Sequence, residues 1–142
     1  MPLLFPSNEW TQAYMQAVNS SDAYRQAGKD WTHGPLALVV KAEPALGLAK
    51  DTALILDLHQ GVCRKAWVTE DMDEANRQPF CITGSYAQWK QVIRKQLDPI
   101  KGMMQGKLKL KGNLTVIVKF VKAAQELVNA TTTVETKFLD EK

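Results

Sequence analysis

Asp57 and His59 stand two residues apart in "DTALILDLHQGVCRKAWV", and Cys63 follows four residues later. In an extended chain, a spacing of two sends both side chains to one face. A carboxylate beside an imidazole can orient a general base or help hold a metal ion. With His59 as base, Cys63 could serve as a thiol nucleophile. The set lacks parts, however. An open metal site wants three protein ligands, and His33 lies in a separate segment. No third group is in place to orient the imidazole. A solvated sheet face near a turn accounts for Asp57 and His59. Half-buried strand cysteines account for Cys63 and Cys81. A small enzyme built on Asp57, His59 and Cys63 is the weakest of three readings of the chain.

Other segments also look chemical. "GMMQGK", Gly102 to Lys107, is Gly-x-x-x-Gly-Lys. A phosphate-binding loop needs four residues between the glycines, Ser or Thr after the Lys, and a helix to follow. Here the spacing is one short, Leu108 follows, and the pattern turns to a strand. The acidic residues Asp71, Asp73 and Glu74 lack the spacing and glycine of a calcium loop. Lys101, Lys107, Lys109, Lys111, Lys119 and Lys122 form a basic region. No aromatic residues interleave with its lysine comb as a single-strand binder would require. It reads as the polar outer face of a sheet, with weak attraction to an anionic membrane surface as the functional alternative. No metal, cofactor or nucleic acid is expected.

The whole chain sets the frame for these segments. Its 142 residues suit one domain, residues 1–142, with 131–142 as a C-terminal tail. Apolar residues make up 45%, enough for a core, and the net charge of +3 is far below a nucleic-acid binder's loading. Two distant cysteines make no disulfide framework and fit a reducing compartment. The start, "MPLLFPSNEW", has neither a basic nor a long apolar leader region. No apolar run nears the roughly 20 residues that span a bilayer. The C-terminal tripeptide matches no address signal. A cytoplasmic protein is the resulting expectation.

Periodicity predicts the elements that must position these residues. Ser7 caps a helix to about Asn19 carrying Trp10, Tyr14 and Val18. "SSD" opens a second, short helix ending at Gly28. "GPLALVVKAE" reads as a strand with Leu36, Leu38 and Val40 on one face. Two more strands follow, turning at His59 to Gly61, with Leu54, Leu56 and Leu58 on one side. Thr69 to Gln78 reads as a polar loop and "PFCITG" as a fourth strand. Ser85 and Gln88 form a capping box for a helix to about Leu97. Asp98-Pro99 restarts a helix ending at Gly106. "KLKLK" is a fifth strand by alternation. Asn113 then caps one long helix to about Ala130. The expected order is α-α-β-β-β-β-α-α-β-α, a sheet with helices on one face.

That last helix carries more apolar surface than a sheet can cover. Leu114, Ile117, Val118, Val121, Ala124 and Val128 form one stripe, and Val116, Phe120, Ala123 and Leu127 form another. The apolar arc is roughly 220° wide, about twice that of an ordinary surface helix. The surplus must meet another helix, a second subunit, a tail or a ligand. Trp89, Ile93, Met103 and Met104 add large, adaptable groups just before it.

The stretch "ITGSYAQWKQVIRKQLDPIKGMMQGKLKLKGNLTVIVKFVKAAQ", Ile82 to Gln125, resembles the sterol carrier protein type two family. The carrying features are Leu-Asp-Pro before a Met-rich turn, then "GKLKLKGN", then the apolar helix. "LILDLHQGVCRKAWV" also looks like the central hairpin of microbial members. The resemblance implies an α/β (α+β) fold, with a five-stranded sheet, helices on one face and an apolar tunnel between. It implies non-enzymatic binding of a fatty acid, acyl-CoA or similar lipid, without implying a sterol, and it suggests a microbial stand-alone member. The residues expected to line the tunnel are Trp10, Tyr14, Phe80, Ile82, Trp89, Ile93, Met103, Met104, Leu108, Leu110, Ile117, Phe120 and Val121. The remaining reading is a structural module whose apolar last helix docks a partner or a second copy. Monomer and dimer both stay open.

Overall fold

The computed structural model describes residues 2–141. Its elements are β1 (Leu3–Phe5), α1 (Asn8–Asn19), α2 (Asp22–Ala27), β2 (Leu36–Val40), β3 (Thr52–His59), β4 (Val62–Thr69), α3 (Met72–Asn76), β5 (Phe80–Gly84), α4 (Tyr86–Ile93), α5 (Pro99–Met104), β6 (Lys109–Lys111), α6 (Leu114–Val118), α7 (Val121–Thr131) and β7 (Thr136–Phe138). Five strands form the main sheet in the order β4-β3-β2-β5-β6. Only the β2–β5 pair is parallel. The five-stranded sheet with helices against it is the expected fold class.

Local signals hold where the chain decides locally. The side chains of Ser7, Ser21, Asp98 and Asn113 accept hydrogen bonds from the first-turn amides of their helices, and Ser85 with Gln88 completes a capping box. The β3–β4 hairpin turns through Gln60 and Gly61, both at positive φ (50° and 84°), as a two-residue type I′ turn requires. A side chain at Gly61 would also strike the Arg25 carbonyl oxygen, 2.5 Å from where its Cβ would sit.

The expected single long helix is two helices. At Phe120 the backbone leaves the helical region (φ −116°, ψ 37°), and its ring sits 5.0 Å from Trp31 and 5.8 Å from His33. The β-branched run Thr115 to Val118 is weakly helical, so this aromatic contact can break it. The break changes the phase of everything downstream. Val121 turns to solvent while Ala123 and Ala130 are buried; upstream of the break, Val118 is exposed and Ile117 buried.

Three further differences matter for the site. Thr69 to Gln78 contains α3, whose first amides are capped by Asp71. Buried Ala75 brings α3 onto the outer sheet face, over Ala37, Val39, Ala53, Ile55 and Cys81. The central strands are therefore covered on both faces. Second, α4 ends at Ile93, short of Leu97, and Lys95 takes a left-handed φ of 60°. Third, the expected tail contains β7, which pairs in parallel with β1, an element the sequence patterns did not mark.

Phe138 of β7 is buried against Phe5 and Tyr86. The Tyr86 hydroxyl donates to the Phe5 carbonyl (2.7 Å) and accepts from the Leu139 amide (2.9 Å). Outside, Lys90 donates to both carboxylate oxygens of Asp140 (2.8 and 2.9 Å), and Arg94 pairs with Glu141. The Lys90 hydrogen bond holds Asp140 below its ordinary 3.8, and the Arg94 hydrogen bond holds Glu141 below its ordinary 4.5. Lowered carboxylate values add stability that is complete above the ordinary value and is lost as pH falls through the lowered one. We therefore expect the Leu139 amide to exchange faster with solvent once the pH falls well below the ordinary carboxylate range than at neutral pH, after correction for intrinsic exchange. Equal protection at both pH values would show that the ion pairs do not hold the segment.

Candidate functional site

Between the inner sheet face and the helices lies a cavity of about 110 Å³. Its floor is Leu36, Leu38 and Val40 of β2, Leu54 and Leu56 of β3, and Ile82 of β5. Strand alternation sets this floor, because residues two apart share a face. The roof combines Trp10 and Tyr14 of α1, Trp89 and Ile93 of α4, Met103 of α5, Ile117 of α6, and Ala124, Leu127 and Val128 of α7. A second hollow of about 40 Å³ shares Leu36, Ile117, Ala124 and Leu127 with the first, and reaches Trp31 and Phe120. The two hollows therefore share a wall on α6 and α7. A wider groove of about 680 Å³ outside α1 includes Gln16, Ser20, Asn129 and Thr133. Its lining mixes these polar groups with Leu3, Ala13, Ala17 and Val134, and it is open, so water competes for it.

The polar groups around the cavity are already engaged. Tyr14 donates to the Leu127 carbonyl (2.7 Å), Trp89 to the Val39 carbonyl (2.8 Å), and Trp10 to the Thr136 hydroxyl (2.8 Å). Thr131 donates to the Val128 carbonyl (2.6 Å). Burial pushes the Tyr14 phenol well above its ordinary value, so it remains a neutral donor. Among the described residues no buried side-chain nitrogen or oxygen lacks a hydrogen-bond partner. The interior thus offers dispersion contacts and no free polar anchor. It can hold a short stretch of hydrocarbon, whereas a charged group placed there would be desolvated without compensation.

The structure brings together Trp10, Tyr14, Ile82, Trp89, Ile93, Met103 and Ile117 as lining. Phe120 lines the smaller hollow. The other expected lining residues lie elsewhere. Met104 is 65% exposed and Val121 is 38% exposed, each on the outer side of its helix. Leu108 is buried but fills core. A Cβ on Gly84 would lie 2.6 Å from its side chain, and one on Gly102 3.1 Å, so Leu108 plugs the gap those two glycines leave. Packing thus explains Gly102 of the apparent phosphate motif. Phe80 packs on Trp31 at 5.3 Å, and Leu110 lies on edge strand β6 opposite Ile82; neither lines the cavity.

Apart from Ile82, the strand floor is absent from the expected site, although alternation marks Leu36, Leu38 and Val40 as one strand face and Leu54 and Leu56 as another. Phe5 also lines the cavity and carried no signal, because its strand exists only through pairing with β7.

The chemistry-bearing residues do not converge. Asp57 pairs with Arg64 at 3.1 Å. His33 packs edge-on against Trp31. Burial pushes the Cys63 thiol up to about 11, which suppresses the reactive thiolate. Asn19 instead uses the Cys63 backbone, accepting from its amide (2.8 Å) and donating to its carbonyl (2.9 Å), to pin α1 to β4. Among the described residues, no three His, Cys, Asp or Glu side chains are placed to hold a metal ion. No helix there is long and apolar enough to cross a membrane.

Fold and site define a class of protein: a small α/β container whose inner space is apolar. Within that class, the chain belongs to the SCP-2 sterol transfer family, whose model matches residues 12–125. It is similar to a crystal structure of sterol carrier protein 2, with 39% identity and a TM-score of 0.83, covering 90% of this chain and 97% of that one. It is also similar to a conserved hypothetical protein, possibly sterol carrier protein, from Thermus thermophilus. That match has 38% identity and a TM-score of 0.83, and covers 92% and 90% of the two chains. The apo sterol carrier protein 2 from Yarrowia lipolytica, at 17% identity and a TM-score of 0.53 over 84% of this chain and 87% of that one, shares the fold. No curated protein sequence matches the chain significantly.

Proposed function

We propose that this chain binds and carries a lipid-like apolar ligand, such as a fatty acid or acyl-CoA, with part of its hydrocarbon chain in the cavity. The observation that carries the reading is the lining: it is apolar, and its polar groups are bonded within the protein. Membership of a lipid-transfer family supports it. The ligand's polar head would remain at the opening, since nothing inside can satisfy it. The role is carriage without catalysis. The whole chain acts as one carrier unit, with reduced Cys63 and Cys81 suiting the cytoplasm. Most of the apolar surface of α7 already faces the protein's own core, which weakens the alternative of a pure docking helix.

Titration of the purified protein with a fluorescent fatty acid tests this directly. The expected result is saturable binding at one site, displaced by unlabelled fatty acids with a strength that rises with chain length. Absence of saturable binding across all chain lengths would overturn it.

A further inference from the structure

The main cavity and the smaller hollow touch the same four residues: Leu36 of β2, Ile117 of α6, and Ala124 and Leu127 of α7. Ala124 carries a single side-chain carbon, so two spaces that both border it are at most one layer of side chains apart. Interiors are normally packed without gaps. A side chain with a gap on either side forfeits few contacts when it changes rotamer. Leu127 is the member of this layer best able to do so. Ile117 is β-branched and stiff at χ1 in a helix, whereas Leu127 is not. Tyr14 holds Leu127 by its backbone carbonyl (2.7 Å), which leaves the side chain to turn.

Beyond this layer, the hollow of about 40 Å³ is bordered by five residues that the main cavity does not touch: Tyr24, Trp31, Leu58, Phe120 and Ala123. None of them is charged. Trp31 is held from several sides. It is buried, its indole N–H donates to the Gly34 carbonyl (2.9 Å), and its own carbonyl accepts from the Gln60 amide (2.8 Å). Phe80 and Phe120 flank the ring at 5.3 and 5.0 Å. A movable layer on one side thus faces a fixed aromatic wall on the other.

Resting on the carriage reading, we propose that the smaller hollow receives the methyl end of the ligand's chain, and that Trp31 is the end stop that sets the longest straight acyl chain held. The main cavity of about 110 Å³ takes only a short stretch of chain. Passing Leu127 lengthens the part that leaves water. Each methylene buried in this way strengthens binding by about fourfold. A methylene beyond Trp31 stays in water or forces the chain to bend, and adds nothing. The rise of affinity with chain length therefore levels off at a definite length.

The test is a set of competition titrations with straight-chain saturated fatty acids of increasing length, on wild type, Ala123→Val and Trp31→Phe. Ala123→Val narrows the hollow without touching the main cavity. Short chains should bind it within about twofold of wild type, and the levelling-off should come at shorter chains. Trp31→Phe shortens the stop and keeps an aromatic side chain, so the levelling-off should move to longer chains. A second readout is fluorescence. A fatty acid brominated at its terminal carbon should quench the Trp31 emission, taken as the difference between wild type and Trp31→Phe, while one brominated beside the carboxylate should spare it. Wild-type affinity that rises with every added carbon overturns the inference. So does a levelling-off at one length in all three proteins, a terminal bromine that leaves Trp31 unquenched, or an Ala123→Val variant that weakens short and long chains alike. Each of these failures presupposes saturable binding and leaves carriage standing; no saturable binding at any length ends both.

Discussion

Replacing Ala124 by Phe is expected to abolish most lipid-probe binding while leaving the protein folded. Ala124 lies on α7 and lines both the main cavity and the smaller hollow. A phenyl group there is comparable in size with the cavity itself. A tenfold loss of affinity is about 1.4 kcal/mol, the value of roughly 55 Å² of apolar ligand surface left in water. A ring in the middle of the cavity should exclude more than that. The fold should tolerate it, since added volume in a core costs about 1–3 kcal/mol and here it enters a void. Circular dichroism should be unchanged. The control is Val121→Phe three residues earlier, at a position 38% exposed, where probe binding should change by less than about twofold. Unchanged binding by Ala124→Phe, in a folded variant, would place the ligand somewhere other than this cavity.

Phe138→Ala is expected to cost about 3–5 kcal/mol. For a chain of this size that corresponds to a fall in Tm of roughly 10–20 °C. The ring is 2% exposed, with ring centroids 6.1 Å from Phe5 and 6.4 Å from Tyr86. Lys90 and Arg94 lie over it at 5.2 and 5.0 Å. It also anchors β7, whose Thr136 takes the Trp10 hydrogen bond and whose pairing holds β1 in place. Phe5 and Trp10 are cavity wall. A loosened strand should therefore also raise the rate at which a bound probe leaves, measured by stopped-flow dilution. Arg94→Ala removes only an exposed ion pair and part of a cation–π contact. It should cost about 1 kcal/mol or less. A Tm for Phe138→Ala within about 3 °C of wild type would show that the C-terminal strand is an ornament on the core.

Much of the fold was legible because its signals are local. Ser7, Ser85 with Gln88, Asp98 and Asn113 each bond amides within three residues, so their effect can be read without knowing the rest of the chain. Alternation over Leu36 to Val40 and Leu54 to Leu58 marked the inner sheet face. The motif running from "LDP" through "GKLKLKGN" was enough to identify the family.

The site was legible only in part. Met103 and Met104 are the same residue type on the same short helix, yet one lines the cavity and the other is exposed. Periodicity could separate them only if the helix's orientation were known. Leu108 and Leu110 alternate correctly toward the helices, but the missing side chains of Gly84 and Gly102 decide that Leu108 fills a gap instead of bordering one. Val121 was misplaced because the helix was read as continuous through Phe120.

Local chemistry in this chain thus establishes the caps, the hairpin turn, the inner strand face, the excess of lysine between Pro99 and Gln125, and the family. Contacts between distant residues establish the rest. Trp31 and His33 draw Phe120 out of the helix and reset the phase of α7. β1 and β7, near opposite ends of the sequence, exist only as each other's partner. Whether the inward apolar surface closes on itself or leaves a space depends on volumes summed over the whole sheet floor and helical roof. Hydrophobicity drives burial without direction, so the pattern specifies which side chains turn inward and leaves to packing whether they meet.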